Sequence, residues 1–298
     1  MLFHSIIYWK YVFLETNSDS WNSKTCWEQE QMDTDTELLE KPSTNNEILN
    51  YDPATLQQDK SDIIHLTRDG SCWLKIEHLP TELAEYGLRC FDEMWQLHPE
   101  DRGKVMMHTG QVQSPRWHKS YLNTPKRNPD VRTSYMFSGV RDADINDPLP
   151  ALFQPFLDYL NSSLKAGQTY NQVVGNWYAD LKDYIAPHSD CEIGMIPDAM
   201  ITTLTLNETD VKVPRCFVVK PKKDALNQNL LYSRVNIPLR HGVIITMGGR
   251  TQKLFRHSVP KTVVQTQDVD KLHLSDDVAK RISLSFRQFQ SNAVLMKA

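Results

Sequence analysis

The segment Arg281–Arg287, with the sequence RISLSFR, constrains the fold of this 298-residue chain more than any other stretch. Successive side chains of a β-strand point to opposite faces, so a strand here places both arginines and both serines on one face. Its other face carries Ile282, Leu284 and Phe286, which predicts a buried core. The arginine face predicts a polar site, because guanidinium groups hold carboxylates through paired hydrogen bonds. A short dicarboxylic acid, or an acid beside a metal-bound carboxylate, would satisfy both arginines.

Short strands are also the pattern of most of the second half of the chain. Stretches rich in β-branched and aromatic residues, separated by Gly, Pro, Asn and Asp, lie at 172–180, 199–206, 215–220, 242–247 and 281–289. A strand at 72–76 and helices at 81–97 and 150–164 precede them. This order predicts an α+β, β-dominated fold: a jelly roll or β-sandwich core with flanking helices.

Residues 1–68 differ in composition from the rest of the chain. They contain five Lys or Arg against twelve Asp or Glu, which gives a net charge of −7. This predicts a disordered acidic N-terminal extension at 1–68 and a folded domain at 69–298. The apolar run at 1–14 is too short to cross a bilayer and is interrupted by a histidine and a lysine, so we expect no stable membrane association.

The five cysteines, Cys26, Cys72, Cys90, Cys191 and Cys216, form no CxxC pair and show no regular spacing. This argues against a disulfide framework and against a structural zinc site. It favours a reducing intracellular compartment, the nucleus or the cytoplasm. We expect the protein to be a monomer.

A candidate metal site combines His188, Asp190 and His257. The first two are two residues apart and would share one face of a strand, whereas His257 follows a later apolar strand and a Gly-Gly turn. Two histidines and one carboxylate form the facial triad that binds non-haem Fe(II) and leaves three positions open. A His-x-Asp triplet alone could be a hydrogen-bonded pair at a strand edge, but its conjunction with the two-arginine strand predicts an iron site.

A candidate nucleic-acid segment lies between residues 116 and 132, where five basic residues stand against one acid. Cations hold phosphates and aromatic faces stack on unpaired or flipped bases. Arg116, Trp117 and Tyr121 are the candidate contacts here, with Tyr135 shortly after. From these residues alone, a solvated basic loop with packed aromatic side chains remains an equal alternative.

From about residue 70 to residue 289 the chain resembles the AlkB-type Fe(II)/2-oxoglutarate-dependent dioxygenases, a family of nucleic-acid demethylases. The matching motifs occur in the family's order: Pro115-Arg116 with Tyr121, YMFSG ending at Gly139, NWY from Asn176, HSD from His188, LRHGVIITMGG from Leu239, HSVP from His257, and RISLSFR. The resemblance implies a double-stranded β-helix in which His188, Asp190 and His257 ligate iron.

The resemblance also implies roles for further residues. Arg281 would pair with the distal carboxylate of 2-oxoglutarate, and Arg287 would stabilise the carboxylate at the metal end. Asn176 and Tyr178 would complete this pocket. Ser283 lies in the same pocket, where many members have asparagine. Glu192 and Arg215 would lie near the modified base.

The activity that the resemblance implies is oxidative demethylation of N-alkylated bases of the 1-methyladenine and 3-methylcytosine type. Iron and 2-oxoglutarate would be the cofactors, with ascorbate as reductant in vitro, and formaldehyde, succinate and CO2 the products. Nucleic acid, DNA or RNA, would be the partner. The alternatives are a 2-oxoglutarate oxygenase acting on an RNA modification or on a protein, a nucleic-acid-binding module without turnover, and a structural β-sandwich with buried histidines.

Overall fold

The computed structural model describes residues 47–107, 110–122, 136–137, 140–141, 147–165, 168–192, 195–209, 214–225, 229–261 and 280–289. The strands are β1 Glu47–Asn50, β2 Ser61–His65, β3 Cys72–His78, β4 Lys104–Met107, β5 Gly110–Gln113, β6 Trp117–Leu122, β7 Met136–Phe137, β8 Val140–Arg141, β9 Gln172–Tyr178, β10 Ile185–His188, β11 Ile201–Asn207, β12 Cys216–Pro221, β13 Tyr232–Pro238, β14 Val243–Gly249, β15 Phe255–Val259 and β16 Arg281–Arg287. The α-helices are α1 Thr81–Arg89, α2 Phe91–Trp95, α3 Gln154–Ser162 and α4 Thr251–Leu254, and short 3-10 helices cover Pro53–Thr55, Ala151–Phe153 and Lys223–Ala225.

Two sheets form the body of the protein. The major sheet has the strand order β2-β3-β14-β11-β16-β9-β6, and the minor sheet has the order β1-β13-β12-β15-β10. The neighbours in both sheets are antiparallel, except that β1 runs parallel to β13. The predicted β-dominated jelly roll with flanking helices is confirmed.

Each face of the major sheet packs against a different layer. Between the two sheets lies one apolar core, to which β3 contributes Leu74 and Ile76 and β12 contributes Phe217 and Val219. A second core lies between the major sheet and helices α1 to α3. The alternation predicted for β16 is confirmed, because Ile282, Leu284 and Phe286 belong to the helix-side core while both arginines face the space between the sheets.

The structure differs from the sequence prediction in one helix and in several strands. The single helix predicted at 81–97 is broken at Cys90, where φ is −101° and ψ is 13°, so that α1 and α2 are separate. Strand β13 was not predicted, because only Val235 and Ile237 of its seven residues are fully buried and the polar residues between them hide the pattern. Within the described part of the chain, no helix has the length and apolarity needed to cross a membrane.

The predicted domain boundary at residue 68 needs correction. Strand β1 pairs with β13 at the edge of the minor sheet, and β2 pairs with β3 at the edge of the major sheet. Residues 47–68 therefore belong to the folded body. Their polar composition was misleading because an edge strand buries few side chains, and Ile64 is the only fully buried residue of β2. The remainder of the predicted extension, residues 1–46, lies outside the described residues.

Candidate active site

Three side chains with metal-binding atoms converge at the end of β10. His188 pairs with His257 across β10 and β15, and their ring centroids are 4.2 Å apart. Asp190 lies two residues beyond the end of β10, and one ligand atom from each of the three residues lies within 4.8 Å of the others. Two imidazoles and a carboxylate around one point match the facial triad of non-haem Fe(II) sites.

The groups around these residues fix their orientation. The Nδ1 atom of His188 lies 2.9 Å from the carbonyl oxygen of Ala186, which can only accept, so Nδ1 carries the proton and Nε2 is left as the ligand. The backbone N–H of Asp190 donates to Oε1 of Gln252 at 3.0 Å. The guanidinium of Arg287 donates to Oδ1 of the same aspartate.

The electrostatics of the triad suit a metal ion. Burial alone would raise the pKa of Asp190, but Arg287 and the two histidines outweigh it and hold that pKa below its ordinary value. Burial lowers the pKa of His188 to about 3, with His257 adding to the effect. Burial also lowers the pKa of His257, against the opposing effect of Asp190. The carboxylate is therefore charged and both imidazoles are neutral, which is the protonation state that metal ligation requires.

A cavity connects this triad to the polar face of β16. It contains about 520 Å³ of empty space, part of it open to solvent. Its wall includes all the residues predicted to hold the metal and the cosubstrate: Asn176, Tyr178, His188, Asp190, His257, Arg281, Ser283 and Arg287. The structure thus brings these eight residues together, although they come from four strands and one turn.

Arg281 is a buried cation in the wall of this cavity. Its side chain is 2% exposed, and its guanidinium carbon lies 4.0 Å from the ring centroid of Tyr178. Burial lowers its pKa to about 10. Among the described residues, neither Nε nor one terminal nitrogen of this guanidinium has a hydrogen-bond partner. A buried cation without a carboxylate is costly, so a carboxylate-bearing ligand suits this position.

Two of the residues predicted to contact nucleic acid, Arg116 and Tyr121, are buried. Arg116 also lines the cavity, but it is buried and its Nε donates to Oδ1 of Asn176 at 2.7 Å. Tyr121 lies in the helix-side core beside Phe153 and is only 3% exposed, so it has no surface to offer a base. Both side chains are therefore enclosed by the fold and do not lie on an exposed loop.

Trp117 is covered by two neighbouring side chains. The ring of His98 stacks on it with centroids 4.6 Å apart, and the guanidinium carbon of Arg102 lies 3.9 Å from its centroid. These groups occupy the ring faces that a base would need. The predicted stacking of Trp117 on a base is therefore replaced by packing between side chains.

Arg215 does not line the cavity. Its guanidinium donates to the backbone carbonyl oxygens of Asp180 at 2.9 Å and Pro260 at 2.8 Å, and also to that of Asp183. It therefore ties the turn between β9 and β10 to the end of β15, and the base contact predicted for it is not supported by this geometry.

The last two predicted substrate residues are Glu192 and Tyr135. Glu192 is partly buried just after the metal-binding turn, outside the cavity wall, and burial raises its pKa. Tyr135 lies outside the described residues.

Two residues of the site were not anticipated from the sequence. Gln252, on the one-turn helix α4, holds the backbone of Asp190, and Phe217 stacks on His257 with centroids 5.3 Å apart. No sequence signal identifies Gln252, because a glutamine on a short helix is ordinarily exposed. Phe217 lies in a predicted strand, but only the folded topology shows that it faces a histidine.

The family model described as the 2OG-Fe(II) oxygenase superfamily matches residues 88–287, a range that contains the three metal-binding residues and both arginines of β16. The chain belongs to this superfamily. Fe(II) and 2-oxoglutarate are the cofactors that the superfamily implies. The triad and the buried guanidinium of Arg281 fit an iron ion and a dicarboxylate.

The similar proteins include AlkB-type enzymes. The chain is 34% identical over 111 residues to "Alpha-ketoglutarate-dependent dioxygenase alkB homolog 3" of Rattus norvegicus, over 36% of each chain. It is 29% identical over 146 residues to "DNA oxidative demethylase ALKBH2" of Arabidopsis thaliana, over 43% of this chain and 44% of the relative. It thus spans less than half the length of these curated relatives. The solved structure titled "The structure of OsALKBH1" aligns with 77% of this chain and 100% of its own, at 14% identity and a TM-score of 0.39.

Proposed function

We propose that this protein oxidatively demethylates N-alkylated bases of the 1-methyladenine and 3-methylcytosine type in DNA or RNA. The observation that carries the proposal is the convergence of three metal-binding side chains and the buried Arg281 in one cavity. Nucleic acid as the substrate is supported by the relative named a DNA oxidative demethylase. The proposed substrate implies an intracellular location, in the nucleus or the cytoplasm.

Each residue of the cavity has a part in this reaction. His188, Asp190 and His257 would hold iron, and Arg281 would anchor the distal carboxylate of 2-oxoglutarate. Arg287 keeps the carboxylate of Asp190 charged and oriented through its hydrogen bond. When bound, iron and 2-oxoglutarate would supply the oxidation, in which one atom of O2 hydroxylates the methyl group and the other enters succinate as CO2 is released. The hydroxymethyl group then leaves as formaldehyde: its hydroxyl proton is released to solvent, and the electron pair of the broken C–N bond returns to the base nitrogen as a lone pair.

The position of the triad limits how a base can reach it. The triad lies in a cavity between two sheets, so a base paired within a duplex cannot bring its methyl group to this point. The substrate base must therefore be unpaired or flipped out of the helix.

Formaldehyde release tests the proposal. Purified protein would be incubated with Fe(II), 2-oxoglutarate and ascorbate on single-stranded and duplex DNA and RNA oligonucleotides that carry 1-methyladenine or 3-methylcytosine. We expect formaldehyde from methylated oligonucleotides and none from unmethylated ones. His188→Ala should abolish release without unfolding the protein, whereas Arg89→Ala, at an exposed arginine on α1, should leave it unchanged.

Two outcomes would contradict the proposal. Succinate formation that does not depend on any methylated oligonucleotide would indicate a protein or small-molecule substrate. A wild-type protein with no affinity for Fe(II) would indicate a scaffold or binding module.

A further inference from the structure

Arg116 is a third arginine in the wall of the cavity, besides Arg281 and Arg287. It immediately precedes β6, the strand that pairs with β9, and its side chain is 2% exposed. A guanidinium this deeply buried requires a structural or a functional reason, because its desolvation opposes folding.

The hydrogen bond from Arg116 fixes the orientation of Asn176. Nε of Arg116 donates to the side-chain oxygen of Asn176 at 2.7 Å. Arginine has no acceptor atom, so the amide atom that faces it must be the oxygen. The NH2 group of Asn176 is therefore turned away from Arg116, and no described residue accepts a hydrogen bond from it.

The NH2 group of Asn176 lies beside the strand that carries the two other arginines. Asn176 pairs with Ser283 across β9 and β16, and both residues line the cavity. Arg281 and Tyr178 form the next pair on the same face. An acidic ligand held by Arg281 would therefore lie next to the amide.

We propose that Arg116 is a positioning residue for 2-oxoglutarate, which holds the Asn176 amide so that its NH2 group donates to an oxygen of the cosubstrate. The inference rests on the proposed function and adds a residue to its cosubstrate site. Without Arg116 the amide is free to rotate by half a turn, and its oxygen would then face an anion. That rotation replaces a hydrogen bond with repulsion.

Binding of 2-oxoglutarate to the Mn(II)-loaded protein tests this inference without turnover or nucleic acid. Calorimetry should show that Arg116→Ala and Asn176→Ala each weaken binding about tenfold, the range expected for a hydrogen bond to a charged group. The double variant should bind no more weakly than Asn176→Ala alone, because Arg116 acts through the amide. Arg89→Ala serves as the control for loss of an arginine outside the cavity.

The double variant also separates orientation from charge. If Arg116→Ala still weakens binding in the Asn176→Ala background, the arginine acts through its charge and the inference is overturned. Steady-state kinetics give a second readout: Arg116→Ala should raise KM for 2-oxoglutarate and leave KM for the oligonucleotide unchanged. The reverse split would make Arg116 a substrate contact and would also overturn the inference.

Asn176→Asp keeps the inference testable if Arg116→Ala fails to fold. The aspartate retains an acceptor for Arg116 but has no NH2 group and adds a negative charge, so 2-oxoglutarate should bind more weakly than to Asn176→Ala. Binding equal to wild type would refute the role of the amide. A wild-type protein that binds no 2-oxoglutarate refutes the proposed function, whereas normal wild-type binding with an unaffected Arg116→Ala variant refutes only this inference.

Discussion

The cavity has two halves that differ in structure: a metal half, formed by His188, Asp190 and His257, and an anion half around Arg281. The metal half lies on the minor sheet, where His188 and Asp190 have hydrogen-bond partners that fix their orientation and His257 is stacked against Phe217. The anion half lies on the major sheet, where Arg281 has nitrogen atoms without a hydrogen-bond partner among the described residues. The protein thus completes the metal half by itself, whereas the anion half needs its ligand.

This difference has an energetic origin. In the metal half, the charge of Asp190 is compensated by Arg287, which reaches it from β16 of the major sheet. In the anion half, β16 places the desolvated guanidinium of Arg281 against the ring of Tyr178, which replaces only part of its hydration. Removing a charged residue from the metal half should therefore reduce both the free energy of unfolding and metal affinity. Removing Arg281 from the anion half should reduce 2-oxoglutarate affinity but raise the free energy of unfolding.

The largest effect should come from Asp190→Ala. Metal binding should be lost, and the free energy of unfolding should fall by about 3–5 kcal/mol because Arg287 is left buried without its carboxylate. Calorimetry with Mn(II) and denaturant unfolding measure the two effects. Unchanged metal affinity would show that Asp190 is not a ligand.

Arg281→Met should affect stability and binding in opposite directions. The affinity for 2-oxoglutarate should fall about a hundredfold, equivalent to about 2.7 kcal/mol. The ligand-free protein should become more stable, by about 1 kcal/mol, because an apolar side chain replaces an uncompensated buried cation. A variant that loses stability as well as binding would contradict the contrast between the halves.

Gln252→Ala should produce a smaller effect confined to the metal half. Loss of the hydrogen bond to the backbone of Asp190 should weaken metal affinity about tenfold, as is typical of groups that orient metal ligands. Binding of 2-oxoglutarate at saturating metal should stay near the wild-type value. Lys253→Ala, at the exposed neighbouring residue on α4, is the matched control.

The smallest effect should be a decrease in the free energy of unfolding at acidic pH, caused by His118 beside the anion half. Burial, with Arg116 adding, lowers the pKa of His118, the cross-strand neighbour of Asn176, from 6.5 to about 4. The unfolded chain therefore takes up a proton before the folded protein does, and stability falls as the pH drops from 6.5 towards 4. The contribution of His118 at pH 5.5 should be a loss of about 1 kcal/mol relative to pH 7.5. Denaturant unfolding should show a shallower pH dependence for His118→Gln, and an identical slope would contradict this assignment.

The sequence predicted the parts of the site that have a local pattern. The alternation in β16 separates core from cavity within seven residues, and His188 and Asp190 are close together in the chain. Residues in the segment at 116–132 were harder to predict, because an aromatic or basic side chain can be exposed or buried. Trp117 and Tyr121 pack inside, and only the tertiary fold decides this.

Long-range pairing explains the other differences. The partner of β1 is β13, which lies nearly two hundred residues later in the chain and pairs with it in the parallel direction. No local composition reveals such a pairing. The hydrogen bonds of Arg215 likewise depend on backbone carbonyl groups from two separate segments of the chain.

Strand β10 is the last strand of the minor sheet, and its register with β15 shifts between Ile185 and His188. An ion bound by His188 and His257 would link these two strands at the edge of the minor sheet. Loss of iron would then reduce the local stability of the protein as well as its proposed activity. Without the ion, the pairing of β10 with β15 would be weaker, and the segment at 179–190 would be more accessible to proteases. The protein would then have a shorter lifetime in the cell.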